Sequence, residues 1–277
     1  MNRSSRSSKN HPTKPRAKKK FGQHFLVNQG QIERILDLMD QEHCPRVLEI
    51  GPGPGTLTVP LLNRGVDLTV VETDADMVSH LKTLETPSPF EIIQDDFLKV
   101  NLEAIFPVTT VVVSNLPYNV SVPITARLLR KTPSIPRMVL MYQKEVAERI
   151  AASPKSRDYG QISAVCQCLY RIRRGFDLAP GAFTPPPKVW SRVLVFERRE
   201  DPLLPLTLLE PLEELLASLF SHRRKMVGSI IKKWTPDWTD PAALLESYLA
   251  CGFDPAWRPE VLAPDDYARW IRVLRGI

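Results

Sequence analysis

The chain has 277 residues, 43% hydrophobic and 25% charged, the balance expected of a globular protein with room for one large α/β domain and a smaller companion. No apolar run approaches the roughly 18 residues of a membrane-spanning helix, and no apolar stretch follows the basic amino terminus as a secretory signal requires. A secreted mini-protein, a membrane span and a wholly disordered chain are excluded.

The net charge of +6 is unevenly placed. Residues 1–20 hold eight Lys/Arg and no acid, residues 21–120 have 5 bases against 14 acids, and residues 121–200 have 15 bases against 6 acids. Such asymmetry points to an anionic partner on one part of the chain and a site of different character on another. The four cysteines, Cys44, Cys166, Cys168 and Cys251, form no CxxC and lie at no metal-ligand spacing, so buried thiols in a reducing compartment are expected, with neither metal nor disulfide.

In chain order, residues 1–20 contain nothing that could seed a core and read as a disordered basic arm, either a solubility tail or a phosphate contact. Ile32, Ile35, Leu36 and Met39 follow the i, i+3, i+4, i+7 spacing of an amphipathic helix. Short apolar runs at Val47–Ile50, Leu68–Val71, Glu91–Ile93, Val111–Val113 and Met138–Met141 alternate with helical stretches, which predicts βαβ units and a largely parallel sheet. Ile162–Leu169 and Val193–Phe196 read as strands of a hairpin around the Pro-rich loop 180–187, with Cys166 and Cys168 on one strand face. After Glu200 nothing resembles a strand. The expected organisation is an arm over 1–20, an α/β domain over 21–200 and a small helical domain over 201–277.

The first of these strands ends in Glu49-Ile50-Gly51-Pro52-Gly53-Pro54-Gly55. Glycines at a strand–helix turn let the backbone approach a ligand, but G-x-G-x-G lacks the third glycine position of dinucleotide enzymes. Glu72, twenty-one residues after Gly51 at the end of the next strand, is placed to accept hydrogen bonds from ribose hydroxyls. Asp96 follows the next strand, where its side-chain oxygen could take an adenine amine. Singly, these read as a tight turn, a helix cap and a loop pair with Asp95. In order at successive strand ends they describe a pocket for an adenosine-bearing ligand that makes no demand for phosphate, and S-adenosylmethionine suits it better than NAD.

The strand Val111–Ser114 runs into Asn115-Leu116-Pro117-Tyr118. An adenine amino nitrogen is a poor nucleophile because its lone pair is delocalised into the ring. An amide oxygen from Asn115 and the backbone carbonyl of Leu116 could accept its two hydrogens and free that lone pair. Pro117 stiffens the turn and brings no competing N–H, and Tyr118 either stacks on the base or serves as a core residue. Positioning and polarisation then stand in for a strong general base, and a base in a nucleic acid must be flipped out to reach them.

These segments, with Phe21-Gly22-Gln23-His24-Phe25-Leu26, Phe183-Thr184-Pro185-Pro186-Pro187-Lys188-Val189 and Arg223-Arg224-Lys225, resemble the rRNA adenine N6,N6-dimethyltransferases of the small ribosomal subunit from about Lys19 onward. The resemblance implies a Rossmann-like class I S-adenosylmethionine-dependent methyltransferase sheet with a C-terminal all-helical domain that binds RNA. It implies that His24, Leu26, Gly51, Glu72, Asp96 and Asn115 line the cofactor pocket. Asn115–Tyr118 would hold the target adenine, with Phe183 on its other face; from the residues alone Phe183 reads as a loop-anchoring core aromatic. The implied reaction dimethylates two adjacent adenosines in a hairpin near the 3′ end of 16S rRNA in a 30S precursor, by a cytoplasmic monomer with no metal and no membrane contact. Trp190, where Asp is usual, and Met226, where Thr is common, depart from the pattern and bear on fine specificity.

Alternatives are the related large-subunit adenine methyltransferase of macrolide resistance and an assembly factor that keeps only the fold and an RNA surface. RNA contacts are expected among Arg127, Arg130, Lys131, Arg137, Lys144, Arg149, Lys155 and Arg157, among Arg171, Arg173 and Arg174, and at Ser221–Lys225, with about half of the first two groups on solvated faces.

Overall fold

A computed structural model describes residues 23–39, 46–234 and 238–277. The basic arm, Phe21, Gly22 and Cys44 lie outside the described residues. In chain order the elements are β1 (Phe25–Leu26), α1 (Gln29–Leu36), β2 (Arg46–Ile50), α2 (Thr58–Asn63), β3 (Asp67–Glu72), α3 (Ala75–Leu81), β4 (Glu91–Gln94), α4 (Leu102–Ile105), β5 (Val111–Asn115) and α5 (Ser121–Leu129). They continue with β6 (Arg137–Gln143), α6 (Lys144–Ile150), α7 (Gln161–Leu169), β7 (Tyr170–Leu178), β8 (Phe183–Thr184), β9 (Ser191–Arg198), α8 (Leu209–Ser221), α9 (Val227–Ile231), α10 (Pro241–Ala250) and α11 (Pro264–Arg275).

Seven strands form one sheet in the order β4-β3-β2-β5-β6-β9-β7. The first five run parallel, β9 is antiparallel to β6, and β7 is antiparallel to β9. The chain runs outward from β2 through β3 to β4, then returns to place β5 on the other side of β2. That reversal opens a crevice at the carboxyl ends of β2 and β5, where open α/β sheets bind ligands.

Strand side chains alternate between two cores, as their period of two requires. Val47, Val111, Val113, Val139 and Met141 pack against α1 and α2 on one face. Leu48, Val112, Met138, Leu140 and Tyr142 pack against α5, α6 and α7 on the other. Both faces are covered, which is why these strands read as near-continuous apolar runs.

The predicted parallel strands stand where expected, but Ile162–Leu169 does not. That segment lies within the helix α7, and the first hairpin strand is the next segment, β7. An apolar run of eight cannot by itself distinguish a buried strand from a helix buried on all sides. Here α7 packs against α5, α6, α8 and α11, so no polar face marks its helical period. Cys166 and Cys168, two residues apart, therefore point to different sides of a helix rather than one strand face, and both are fully buried. Burial pushes the Cys168 thiol up to about 12 and the Cys166 thiol further still.

The described residues after Glu200 form only helices. Leu212, Leu215 and Leu216 of α8 and Trp270 and Ile271 of α11 join the same apolar cluster as α7 and β6. Trp270 is fully buried, its indole N–H donating to Leu244 O at 3.2 Å and to Ser247 Oγ at 3.1 Å.

Candidate active site

The crevice is a cavity of about 250 Å³ at the carboxyl edge of the sheet. Of the sequence-predicted residues, His24, Gly51, Glu72, Asp96, Asn115, Leu116, Pro117 and Tyr118 line it. Leu26 and Phe183 do not. They are register partners in the two-stranded ribbon β1–β8, and both side chains are buried in the core on the α1 face. Phe183 thus sits where the core-aromatic reading put it, 3% exposed. The ribbon, with Val27 N–H bonded to Ala182 O at 2.9 Å, fastens the segment carrying His24 and Phe25 to the loop after β7.

The glycine turn has positive φ at Gly51 (65°) and Gly53 (55°), conformations that favour glycine. A Cβ on Gly53 would stand 2.9 Å from the Phe25 ring, and one on Gly51 3.4 Å from Pro117. A side chain at either point would intrude on the cavity wall. The Gly53 N–H donates to Glu72 Oε2 at 3.1 Å and the Asp74 N–H to Glu72 Oε1 at 2.8 Å. Two backbone donors therefore aim the carboxylate and leave acceptor capacity on both oxygens. Burial raises the Glu72 pKa against the opposing pull of those N–H groups. Asp96 caps its turn by accepting the Leu98 N–H at 2.9 Å on Oδ1.

Glu49, at the end of β2, is 2% exposed and accepts the Thr58 hydroxyl at 2.7 Å. Burial pushes its carboxyl up to about 8, with the Thr58 bond opposing and Glu72 reinforcing the shift. It ties β2 to the first turn of α2 directly behind the glycine turn.

At the other wall Asn115 donates from Nδ2 to the His24 carbonyl at 3.0 Å. His24 itself sits with Nδ1 2.8 Å from the Pro185 carbonyl, which can only accept, so Nδ1 carries the proton. One hydrogen of the Asn115 amide nitrogen goes to His24, which orients the amide, and its oxygen is the atom that can accept from a ligand. The Tyr118 ring stacks on His24, with centroids 5.6 Å apart, and its hydroxyl lies 2.6 Å from Ser191 Oγ, so the ring is held at its edge and on one face. Ser191 is fully buried, and nothing in the sequence marks it, because it stands 73 residues from Tyr118. Gly53 and Phe25 also belong to the site, and each lies inside a motif visible in the sequence. Among the described residues no cluster of three His, Cys, Asp or Glu could hold a metal ion.

Several of the cations expected to meet RNA also have partners within the protein. Arg127 donates to the Val100 carbonyl, Arg130 pairs with Glu213 at 2.9 Å, Lys131 pairs with Glu103, and Arg137 pairs with Glu197 at 3.2 Å. They lie along α5 and at the start of β6, toward the sheet edge opposite the cavity. Arg223 donates to the Arg157 carbonyl at 2.8 Å and stands 3.6 Å from Glu260, so it staples the 151–160 loop to the C-terminal helices. Arg224 and Lys225 remain exposed, as do Arg171, Arg173 and Arg174 on the edge strand β7, with Arg173 also 3.5 Å from Glu197. No helix among the described residues is long and apolar enough to cross a membrane.

A family model described as ribosomal RNA adenine dimethylase matches residues 14–242. The chain is 38% identical to ribosomal RNA small subunit methyltransferase A of Pseudomonas aeruginosa, over 95% of each chain. It is 35% identical to the protein of that name from Alcanivorax borkumensis, over 94% of this chain and 91% of the relative. A dimethyladenosine transferase from Plasmodium falciparum superposes with a TM-score of 0.73 at 24% identity, over 89% of this chain and 96% of that one. The 23S rRNA methyltransferase ErmE gives 0.64 at 23% identity, over 91% and 99%. At that identity the two structures speak for the fold alone.

Proposed function

The chain belongs to the ribosomal RNA adenine dimethylase family, and on that premise we propose that it dimethylates the N6 amines of two adjacent adenosines in a hairpin loop near the 3′ end of 16S rRNA. It is an S-adenosylmethionine-dependent rRNA adenine methyltransferase. The further reading is that it works as a cytoplasmic monomer on a 30S precursor.

The cavity fits the cofactor. The glycine turn leaves a cradle that a Cβ would fill, and Glu72 presents an oriented carboxylate to a ribose diol beside it. The second oxygen of Asp96, 4.0 Å from the Lys99 ammonium, can still accept an adenine amine, and the peptide around His24 closes the end next to Asn115. When bound, S-adenosylmethionine supplies an electrophilic methyl group on a sulfonium sulfur.

The chain's part is to position and polarise the target amine. The Asn115 amide oxygen and the Leu116 carbonyl accept its two hydrogens and draw the nitrogen toward a tetrahedral state with its lone pair free. Tyr118 supports the flipped base with a ring whose tilt is already set. The apolar part of the wall strengthens these hydrogen bonds relative to water. The observation that carries the reading is the Asn115 amide at the pocket wall, its nitrogen donating to the His24 carbonyl so that the oxygen is the atom able to accept from a target amine.

The test incubates the protein with labelled S-adenosylmethionine and either unmethylated 30S particles or 23S rRNA, then maps the label. Two dimethylated adjacent adenosines in the small-subunit hairpin are expected. Label only in the large-subunit RNA would overturn the assignment and favour the macrolide-resistance type of enzyme.

A further inference from the structure

A lone exposed aromatic is ordinary on a protein surface, but Trp190 is set apart by its place and its fastening. It is 50% exposed and directly precedes Ser191, the residue that holds the Tyr118 hydroxyl at the cavity wall. Its carbonyl accepts the Lys144 N–H at 2.8 Å, and the Lys144 ammonium lies 5.8 Å from the ring centroid, within cation–π range. Lys144 is itself fixed by Asp177 at 3.0 Å. Asp177 is in turn clamped bidentately by Arg192, at 2.5 and 2.9 Å. The indole is therefore a flat apolar surface anchored to α6, β7 and β9 rather than hanging on a loose loop.

Its surroundings suit a nucleic acid. Lys188 and Val189 beside it are exposed, and the Lys144 ammonium borders the ring, within the segment of net positive charge. An aromatic face next to phosphate-binding cations is the arrangement with which proteins grip unstacked bases, because every base offers a π face regardless of sequence. Flipping one adenine out of a hairpin loop also leaves its neighbour without a stacking partner.

We infer that Trp190 is a stacking platform for the nucleobase flanking the target adenine, so that it holds the loop open and in register while Asn115–Tyr118 engage the flipped base. This rests on the rRNA-methylation reading above. Trp190 lines no part of the cofactor cavity, so its role is one of positioning, expressed in the grip on RNA rather than in the chemical step.

The experiment compares wild type, Trp190→Ala and Trp190→Phe in initial-rate methylation of unmethylated 30S particles and of protein-free small-subunit rRNA. Cofactor affinity and circular dichroism are measured alongside as folding controls. Trp190→Ala is expected to raise KM for RNA about tenfold with kcat within about threefold, within the range for loss of one base–aromatic stack. Trp190→Phe, which keeps a π face, should stay within about twofold of wild type, and both variants should bind cofactor normally. An alanine variant indistinguishable from wild type overturns the inference, and so does a phenylalanine variant as impaired as the alanine one. Impairment on particles but not on free rRNA overturns it in favour of contact with a ribosomal protein. A wild-type protein that labels no rRNA adenine overturns the functional reading itself, which separates the two failures.

Discussion

The amide nitrogen of Asn115 is bound to the main-chain carbonyl of His24, 3.0 Å away and 91 residues distant in sequence. That single bond orients the amide and leaves its oxygen as the acceptor. A target amine has only hydrogens to offer along its N–H directions, so it can be held by the oxygen and would be repelled by the nitrogen.

Asn115→Ala removes the acceptor and is expected to lower kcat by about 100-fold, the scale found when one preorganised polar group is removed from an active site. RNA affinity should change by less than about threefold, since surface cations and stacking carry it. Single-turnover rates with filter-binding measurements check this, and equal losses in both would place the chemistry elsewhere.

Gly53→Ala must adopt φ near 55° and push its methyl toward the Phe25 ring, 2.9 Å away. The backbone conformation alone costs roughly 1–2 kcal/mol, and displacement of Phe25 narrows the cavity. Weaker cofactor binding by tenfold or more and a lowered Tm are expected, read by calorimetry. Phe25→Ala in the same chain should recover part of the binding.

Glu49 gives a pH dependence of defined sign. Its folded pKa of about 8 lies above the ordinary 4.5, so the folded state holds an extra proton between those values. The contribution of Glu49 to stability is then greatest below about pH 4.5 and falls as pH rises toward 8, by at most about 1.4 kcal/mol per pH unit. Glu49→Gln keeps an acceptor for Thr58 and should remove most of that slope. Urea unfolding from pH 5 to 8 compares the two proteins, and parallel curves would refute the assignment to Glu49.

Cys166 and Cys168 are fully buried, and burial holds both thiols protonated. Once Cys44 and Cys251 are replaced by serine, the native protein should resist an aromatic disulfide reagent at pH 8 and titrate two thiols in urea. Rapid native labelling would show that α7 opens readily.

The basic triplet divides in two. Arg224→Ala with Lys225→Ala should reduce the salt dependence of RNA binding by roughly 0.7–0.9 in log–log slope for each phosphate that is no longer neutralised, with stability unchanged. Arg223→Ala should chiefly lower Tm, because its guanidinium joins Arg157 and Glu260. The reverse assignment of effects would contradict these bonds.

The sequence by itself determined the parallel strands, the glycine turn, the acids at the ends of β3 and β4 and the Asn-Leu-Pro-Tyr corner. Each is a local matter of side-chain period, positive φ or residue chemistry at a strand end. It misjudged Ile162–Leu169 because a helix buried on every side shows no period. It could not rank the cations either, since Arg127 and Arg224 look alike until one is seen bonded to the Val100 carbonyl and the other open to solvent. The tertiary structure decided the orientations: the Asn115 amide turned by His24, the Tyr118 ring tied to Ser191, Phe183 drawn into the core and Trp190 anchored beside the mouth. Orientation depends on hydrogen bonds and packing between segments far apart in the chain, and these exist only once the sheet has brought their strand ends to one edge.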